Sequence, residues 1–313
     1  MQSGSPRRRF WRRLFLLVLG LFVVVVALVL ARCVYVFRDR HPGYQLALDV
    51  DPAPAAATPQ PLQAGFGRVP INPDLSDPTN RPVWLAGFSQ HRAATSQHDS
   101  LWATAIVIDD GHHRLGLVAL DAIGFFHDDV IAVRELLAPE LRLTYTVVCS
   151  THNHSTPDLM GLWGPDIFHT GVDPAYRRLV IRAAAEALGQ AVKTLEPARM
   201  AAHEIPVSPE GLLADTRKPV VFDPDLRALH FTRPATGATI GTLVAWADHP
   251  ETPWGRNTEI TSDFCGYLRD ALERGVTIDG RRYAEGLGGI HVYVNGAIGG
   301  LMTTSPSVTV RDP

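Results

Sequence analysis

The chain opens on an apolar stretch unlike anything after it. From Leu14 to Ala31 no residue is charged, and Arg7, Arg8, Arg9, Arg12 and Arg13 stand just before it. A helix over those positions spans about 27 Å, close to the roughly 30 Å of a hydrocarbon core. The pattern predicts a transmembrane signal anchor over 14–31. A basic segment, 1–13, stays cytoplasmic, and the C-terminal bulk lies on the extracytoplasmic side of a single-pass membrane protein. A cleaved signal peptide is the competing reading. Its apolar region is shorter, about 7–15 residues, and ends in an Ala-x-Ala-like site. Leu30-Ala31-Arg32-Cys33 puts an arginine at that place, which favours retention. Residues 32–62 are rich in Pro, Ala and Asp and read as a linker.

Beyond the linker the pattern changes to short apolar runs with helical segments between them. Leu101 to Ile108 and Arg114 to Leu120 read as strands around the turn Asp109-Asp110-Gly111-His112-His113. A helix is predicted from Asp128 to Ala138, with Val130, Val133, Leu136 and Leu137 on one face and Pro139 as its stop. Tyr145 to Cys149 is a strand. Asp173-Pro174 opens a helix to about Leu195, with Asp as N-cap and Pro in the first turn. Met200 to Val207 is a strand, and Leu226–Thr232 with Ala238–Trp246 form a hairpin. Ser262 and Asp263 cap a helix to Arg274, and Ile290 to Val294 is the last strand. The fold class is α/β. The two hairpins break a purely parallel pattern, so mixed β-sheets flanked by helices are expected, preceded by the transmembrane helix.

Composition narrows the function. Of 313 residues 46% are hydrophobic, enough for a sizeable core, and the net charge is −3. That balance gives no electrostatic case for nucleic acid. Three cysteines do not make a disulfide framework. Cys149 and Cys265 read as buried small hydrophobes.

The chemistry concentrates past two strand ends. Cys149-Ser150-Thr151-His152-Asn153-His154-Ser155 follows the strand at 145, and Asp248-His249-Pro250-Glu251-Thr252 follows the strand at 238. In open α/β sheets ligands gather outside strand C-termini. Neutral imidazoles suit zinc, and they equally serve as hydrogen-bonding groups that hold a loop in place. His112 and His113 sit at a loop tip. Asp121 closes a strand, where it can face a site or cap a helix. The loop 155–172 is long, as lids beside sites often are.

Several short stretches, in order, resemble the neutral (alkaline, non-lysosomal) ceramidases over residues 63–305. Ala64-Gly65-Phe66-Gly67-Arg68 is similar to that family's opening Gly-x-Gly-Arg. Ser150-Thr151-His152-Asn153-His154-Ser155 resembles its Thr-His-Thr-His-Ser-Gly-Pro. Asp215-Thr216-Arg217-Lys218-Pro219 is similar to Asn-Arg-Ser-Pro, Asp248-His249-Pro250-Glu251-Thr252 to His-Pro-Thr, and Ser262-Asp263 with Gly266-Tyr267 to Ser-Asp-x-x-Gly-Tyr. The resemblance implies a zinc amidase acting on N-acylsphingosine or a related lipid amide. It assigns zinc to His152 and His249. The family's remaining ligands, a glutamate and a tyrosine, are then expected beyond residue 313, so that the domain 63–313 reads as C-terminally incomplete. Bound zinc lowers the pKa of water and polarises a carbonyl.

Other residues have two readings each. His154 can move a proton or hold a developing oxyanion, or it can hydrogen-bond the loop. Arg217 can hold an oxyanion or carboxylate, or be a surface cation. Asn295 can donate to a bound substrate, or shape the glycine-rich turn after it. One departure bears on the reaction. Where the family has Gly-Asp-Val-Ser-Pro with a catalytic serine, this chain has Gly299-Gly300-Leu301-Met302-Thr303. Ser305-Pro306 restores the serine only through an insertion. The reading that follows is a membrane-anchored, exported hydrolase of an amide or ester bond, its partners a lipid or small-molecule substrate and the membrane. The alternative is a degenerate, non-catalytic ceramidase-like binding domain at the membrane. A metal-free serine hydrolase is disfavoured by the lack of a Gly-x-Ser-x-Gly elbow.

Overall fold

The computed structural model describes residues 6–47, 60–76 and 82–303. The expected Ser305 lies outside the described residues. The chain divides into two compact units, one up to residue 48 and one from 49 on.

The first unit is helix α1, Pro6–Phe37, which extends past both ends of the uncharged run. It is long and apolar enough to cross a membrane, and no part of that stretch is buried by protein.

The second unit is layered, helix on sheet on sheet on helix. Its first sheet holds β1 (Gln63–Pro70), β2 (Trp102–Asp109), β3 (Arg114–Leu120) and β4 (Tyr145–Ser150), in the order β4-β3-β2-β1, with Glu196–Pro197 at the β1 edge. β3 and β4 are parallel; the other long pairs are antiparallel. The second sheet holds β5 (Arg199–Ile205), β6 (Leu226–Thr232), β7 (Thr239–Trp246) and β10 (Ile290–Asn295), in the order β10-β7-β6-β5. Here β7 and β10 are parallel. Between them in sequence lies a hairpin, β8 (Gly275–Ile278) and β9 (Arg281–Glu285).

Period-two alternation explains the layering. On β2, Ala103, Ala105 and Val107 face one core with Val118 and Leu120 of β3. Against that face lies α3 (Pro174–Lys193), through Val180, Ala183, Ala184, Ala187, Leu188 and Ala191. Its N-cap is Asp173, which accepts from Ala175 N–H at 2.8 Å, as its position in the sequence requires. Gly65 and Gly67 of β1 point at this helix. A Cβ on either would overlap its backbone carbonyls, at Ala191 and Ala187, so the glycines let helix and sheet touch. The opposite face carries Phe66, Ile106 and Ala119, which meet Phe231, Ile240 and Val292 of the second sheet. Burying each such aliphatic or aromatic side chain stabilises by about 1.5–3 kcal/mol.

The outer face of the second sheet receives α4 (Asp263–Arg274), where Phe264 packs edge-on against Trp246 and Tyr293. The helix α2 (His127–Glu135) is shorter than the expected 128–138. The residue before Pro139 is pushed to extended backbone, and Ala138 takes it. Ser262 precedes α4 but does not cap it, because its hydroxyl donates to Asp99 at 2.7 Å. Asp121 neither caps a helix nor faces solvent. It accepts both Arg269 guanidinium nitrogens, at 2.8 and 2.7 Å, and Trp102 N–H at 2.9 Å. That pair ties α4 to the first sheet.

Candidate metal centre

Both parallel pairs run out toward the same place. β4 ends at Ser150 and Thr151-His152-Asn153-His154 follows. β7 ends at Trp246 and Ala247-Asp248-His249 follows. The ligand atoms of His152, His154 and His249 all lie within 4.8 Å of one another. Ring centroids are 4.9 Å apart for His152 and His249, 5.0 Å for His152 and His154, and 5.6 Å for His154 and His249.

The tautomers follow from the neighbours. Nδ1 of His152 lies 2.7 Å from the Ile123 carbonyl, and Nδ1 of His249 contacts the Leu301 carbonyl. A carbonyl only accepts, so each Nδ1 carries the proton and each Nε2 keeps its lone pair. His154 is different. Both its ring nitrogens are buried without a hydrogen-bond partner. Glu251 Oε2 is 3.3 Å from His154 Nδ1, close but outside hydrogen-bonding geometry. An unpaired buried polar group costs about 1–3 kcal/mol. A cation on one nitrogen, with Glu251 turned to accept from the other, would satisfy both. The donor set therefore fits a divalent metal: three imidazoles make the protein ligand count of a catalytic zinc site.

Electrostatics keep the rings in ligand form. Burial pushes His154 down to about 3, helped by repulsion from His152, His249 and Arg92. Burial also lowers His249, partly offset by its bond to Leu301. The carboxyls around them move the other way. Burial raises Asp248 to about 8, against the pull of the His249 N–H, with Asp263 and Glu251 adding repulsion. Burial raises Glu251 to about 7, against the N–H of Thr303. Asp248 Oδ1 and Glu251 Oε1 are buried without hydrogen-bond partners.

The loop is clamped from several sides. His154 N–H donates to Pro250 O at 2.9 Å, and Asn153 Nδ2 to Thr261 O at 2.7 Å. Arg92 Nη2 contacts the carbonyls of Ala86 and His154. His152 itself sits at φ +66°, a left-handed conformation that side chains adopt at a cost. Phe88 (φ +57°) and Trp254 (φ +58°) share that conformation, and Phe88 stands edge-on to His154 with centroids 5.1 Å apart. The φ of Gly87 is +80°, and a Cβ there would come within 2.6 Å of His154 Nδ1.

The other expected residues distribute unevenly. Asn295, at the end of β10, donates its amide to Thr151 O at 2.7 Å, so it shapes the histidine loop. Arg217 is 58% exposed and 3.4 Å from Asp215. It lies over the Gly299-Gly300 turn, where a Cβ at Gly300 would overlap its guanidinium. The next residue, Leu301, holds His249. His112 is exposed in its hairpin turn. Sequence reasoning gave no role to Glu251, Arg92 or Phe88. The place of Glu251 two positions after His249 is the one signal available for the first.

No family model matches the sequence, and no curated protein does. Solved structures do. The fold is similar to neutral ceramidase from Pseudomonas aeruginosa, with TM-score 0.65 and 18% identity over 80% of this chain and 41% of that one. It is also similar to a ceramidase complexed with C2, with TM-score 0.63 and 19% identity over 77% of this chain and 38% of the other. The chain thus spans about two fifths of the length of these structures. The likeness is one of fold: α/β and ceramidase-like.

Proposed function

We propose that this chain is a metal-dependent hydrolase of an amide or ester bond, anchored in a membrane with its folded domain on the extracytoplasmic side, and that zinc is its metal. The observation that carries the reading is the convergence of His152, His154 and His249 from the ends of strands in two different sheets. Two have Nε2 freed by a carbonyl at Nδ1; the third is buried and unsatisfied. In this reading His154 is a third ligand rather than a proton carrier, and Glu251 orients it.

Bound there, zinc supplies an activated water and polarises the scissile carbonyl. The chain's own groups do the rest. Glu251, 3.3 Å from His154 Nδ1, is placed to fix the orientation of that ring. Phe88 and Trp254 shield one side from water. A cleft of about 950 Å³ lies next to the His249 turn; Trp254, Phe264 and Tyr267 line it together with Arg256, Asn257 and Glu259, which suits a substrate with both apolar and polar parts. The ceramidase-like fold supports a lipid amide, N-acylsphingosine or a relative, as the substrate class.

Metal content tests this first. The chain should hold near one zinc, lost in His152→Ala and His249→Ala. A chelated sample with full hydrolytic activity would refute the reading. A second reading has its own support. Arg217 fills the space beside Gly300, where ceramidases carry an aspartate. It makes the domain a non-catalytic binder, and predicts metal binding without turnover of any N-acyl lipid or ester.

A further inference from the structure

The loop after the histidine run presents three large apolar side chains to solvent. Leu162, Ile167 and Phe168 are 57%, 77% and 84% exposed. The loop is built to hold them there. Buried Asp158 accepts from the N–H groups of Met160, Gly161 and Trp163, at 2.9, 3.0 and 3.2 Å. Gln90 donates to Leu162 O at 2.7 Å and accepts from Gly164 N–H at 2.8 Å. His91 N–H donates to Gly164 O at 2.7 Å. At the tip, Asp166 accepts from Phe168 N–H at 2.8 Å and faces His169 Nδ1 at 2.7 Å.

Gln90 and His91 belong to the turn that carries Phe88 against His154. The apolar tip and the mouth of the histidine site are therefore parts of one braced surface. Leaving such side chains in water forgoes the stabilisation that burying them would bring. Holding them out at the cost of so many hydrogen-bonded positions suits a surface that meets an apolar phase. The unit that precedes the domain identifies the phase. A chain carried by α1 keeps its domain beside a bilayer.

We infer that Leu162, Ile167 and Phe168 insert into the lipid surface and dock the histidine site against the bilayer, so that an apolar-tailed substrate passes from lipid to site without crossing water. This rests on the reading of α1 as a membrane span. The contact is apolar, so it works on zwitterionic phosphatidylcholine, which has no net charge, and is insensitive to salt.

The test uses the full chain with Cys33→Ser, reconstituted in phosphatidylcholine vesicles. An environment-sensitive fluorophore is placed through Phe168→Cys, through Leu21→Cys in α1, or through Tyr283→Cys on β9. The unlabelled background, which keeps Cys149 and Cys265, is the blank. Brominated lipids should quench the labels at 21 and 168 and spare the one at 283. Shallow bromines should act more strongly on position 168 than deep ones. Quenching at 21 with none at 168 would overturn the inference while leaving the anchor standing. Absence of quenching at both would remove the anchor reading and the inference with it. Ile167→Asp should reduce quenching of the label at 168 while metal content stays unchanged. Equal quenching in that variant would also count against insertion.

Discussion

Removing the carboxylate of Asp121 should unfasten the outer helix from the inner sheet. Asp121 closes β3, and Arg269 reaches it from α4 with two guanidinium bonds of 2.8 and 2.7 Å. The side chains are 0% and 3% exposed. Asp121→Ala leaves a buried guanidinium without a counter-ion, which costs about 3–5 kcal/mol. It also strips Trp102 N–H of its acceptor, a loss that overlaps the first and does not simply add. At about 2–4 °C per kcal/mol for a domain of this size, the melting temperature should fall by about 6–20 °C. Replacing both partners, as Asp121→Leu with Arg269→Met, should restore most of that, because no unpaired charge remains. Urea unfolding followed by circular dichroism compares both variants with the parent chain. A loss below about 1 kcal/mol in Asp121→Ala would mean the pair is hydrated in solution and the four-layer packing is wrong at this point. The site should feel the change too. The first residue of α4, Asp263, accepts from Thr252 N–H at 3.0 Å, three residues past His249. Zinc affinity should therefore drop in the single variant and recover in the double.

His154→Ala should lose zinc as fully as His152→Ala; retention of one zinc per chain would return His154 to a role outside the metal. Glu251→Gln, which keeps a hydrogen-bond acceptor beside His154, should weaken zinc binding less than Glu251→Ala does, as isothermal titration would show. Gly87→Ala adds a Cβ against His154 Nδ1 and strains a left-handed backbone, so it should weaken zinc binding with little effect on far-ultraviolet dichroism. The stability of chelated protein should fall as pH rises from 6.5 to 8.5. Asp248 (about 8) and Glu251 (about 7) have folded values above their unfolded ones, so their contribution is present at low pH and lost as pH climbs through those values. Below 6.5 the buried histidines oppose this slope, since His154 (about 3) is held uncharged in the fold while the unfolded chain binds protons. Denaturant midpoints that rise with pH above 6.5 would refute the buried carboxyls.

Where a side chain reports its own burial, the sequence is readable. Val118 and Leu120 alternate with Leu117 and Ala119 because two different cores claim the two faces of β3. Asp173-Pro174 marks a helix start through purely local chemistry. The hairpin of β8 and β9 escapes such a reading. Arg281, Arg282 and Glu285 face water and there is no apolar alternation, so only Asp279-Gly280 marks it, as a tight turn. The two strand-end histidine stretches are visible in one dimension, but their meeting is not. It depends on how two sheets pack, through contacts such as Phe66 with Phe231, which no local pattern encodes. The same holds for Glu251. It is buried, and the groups that act on its carboxyl, the Thr303 N–H and the Asp263 carboxylate, are neighbours only in space.

The histidines follow strands in separate sheets, and this bears on how the folded chain persists. His152 and His249 are about a hundred positions apart, and the three cysteines Cys33, Cys149 and Cys265 are free. An ion shared by these imidazoles closes that long loop as a disulfide would. On the chain-entropy account such a closure contributes about 4–5 kcal/mol. Metal supply would then govern maturation as well as turnover. A chain folded where zinc is scarce would be left without its staple, prone to local opening at the two strand ends and to proteolysis there, before any substrate reached it.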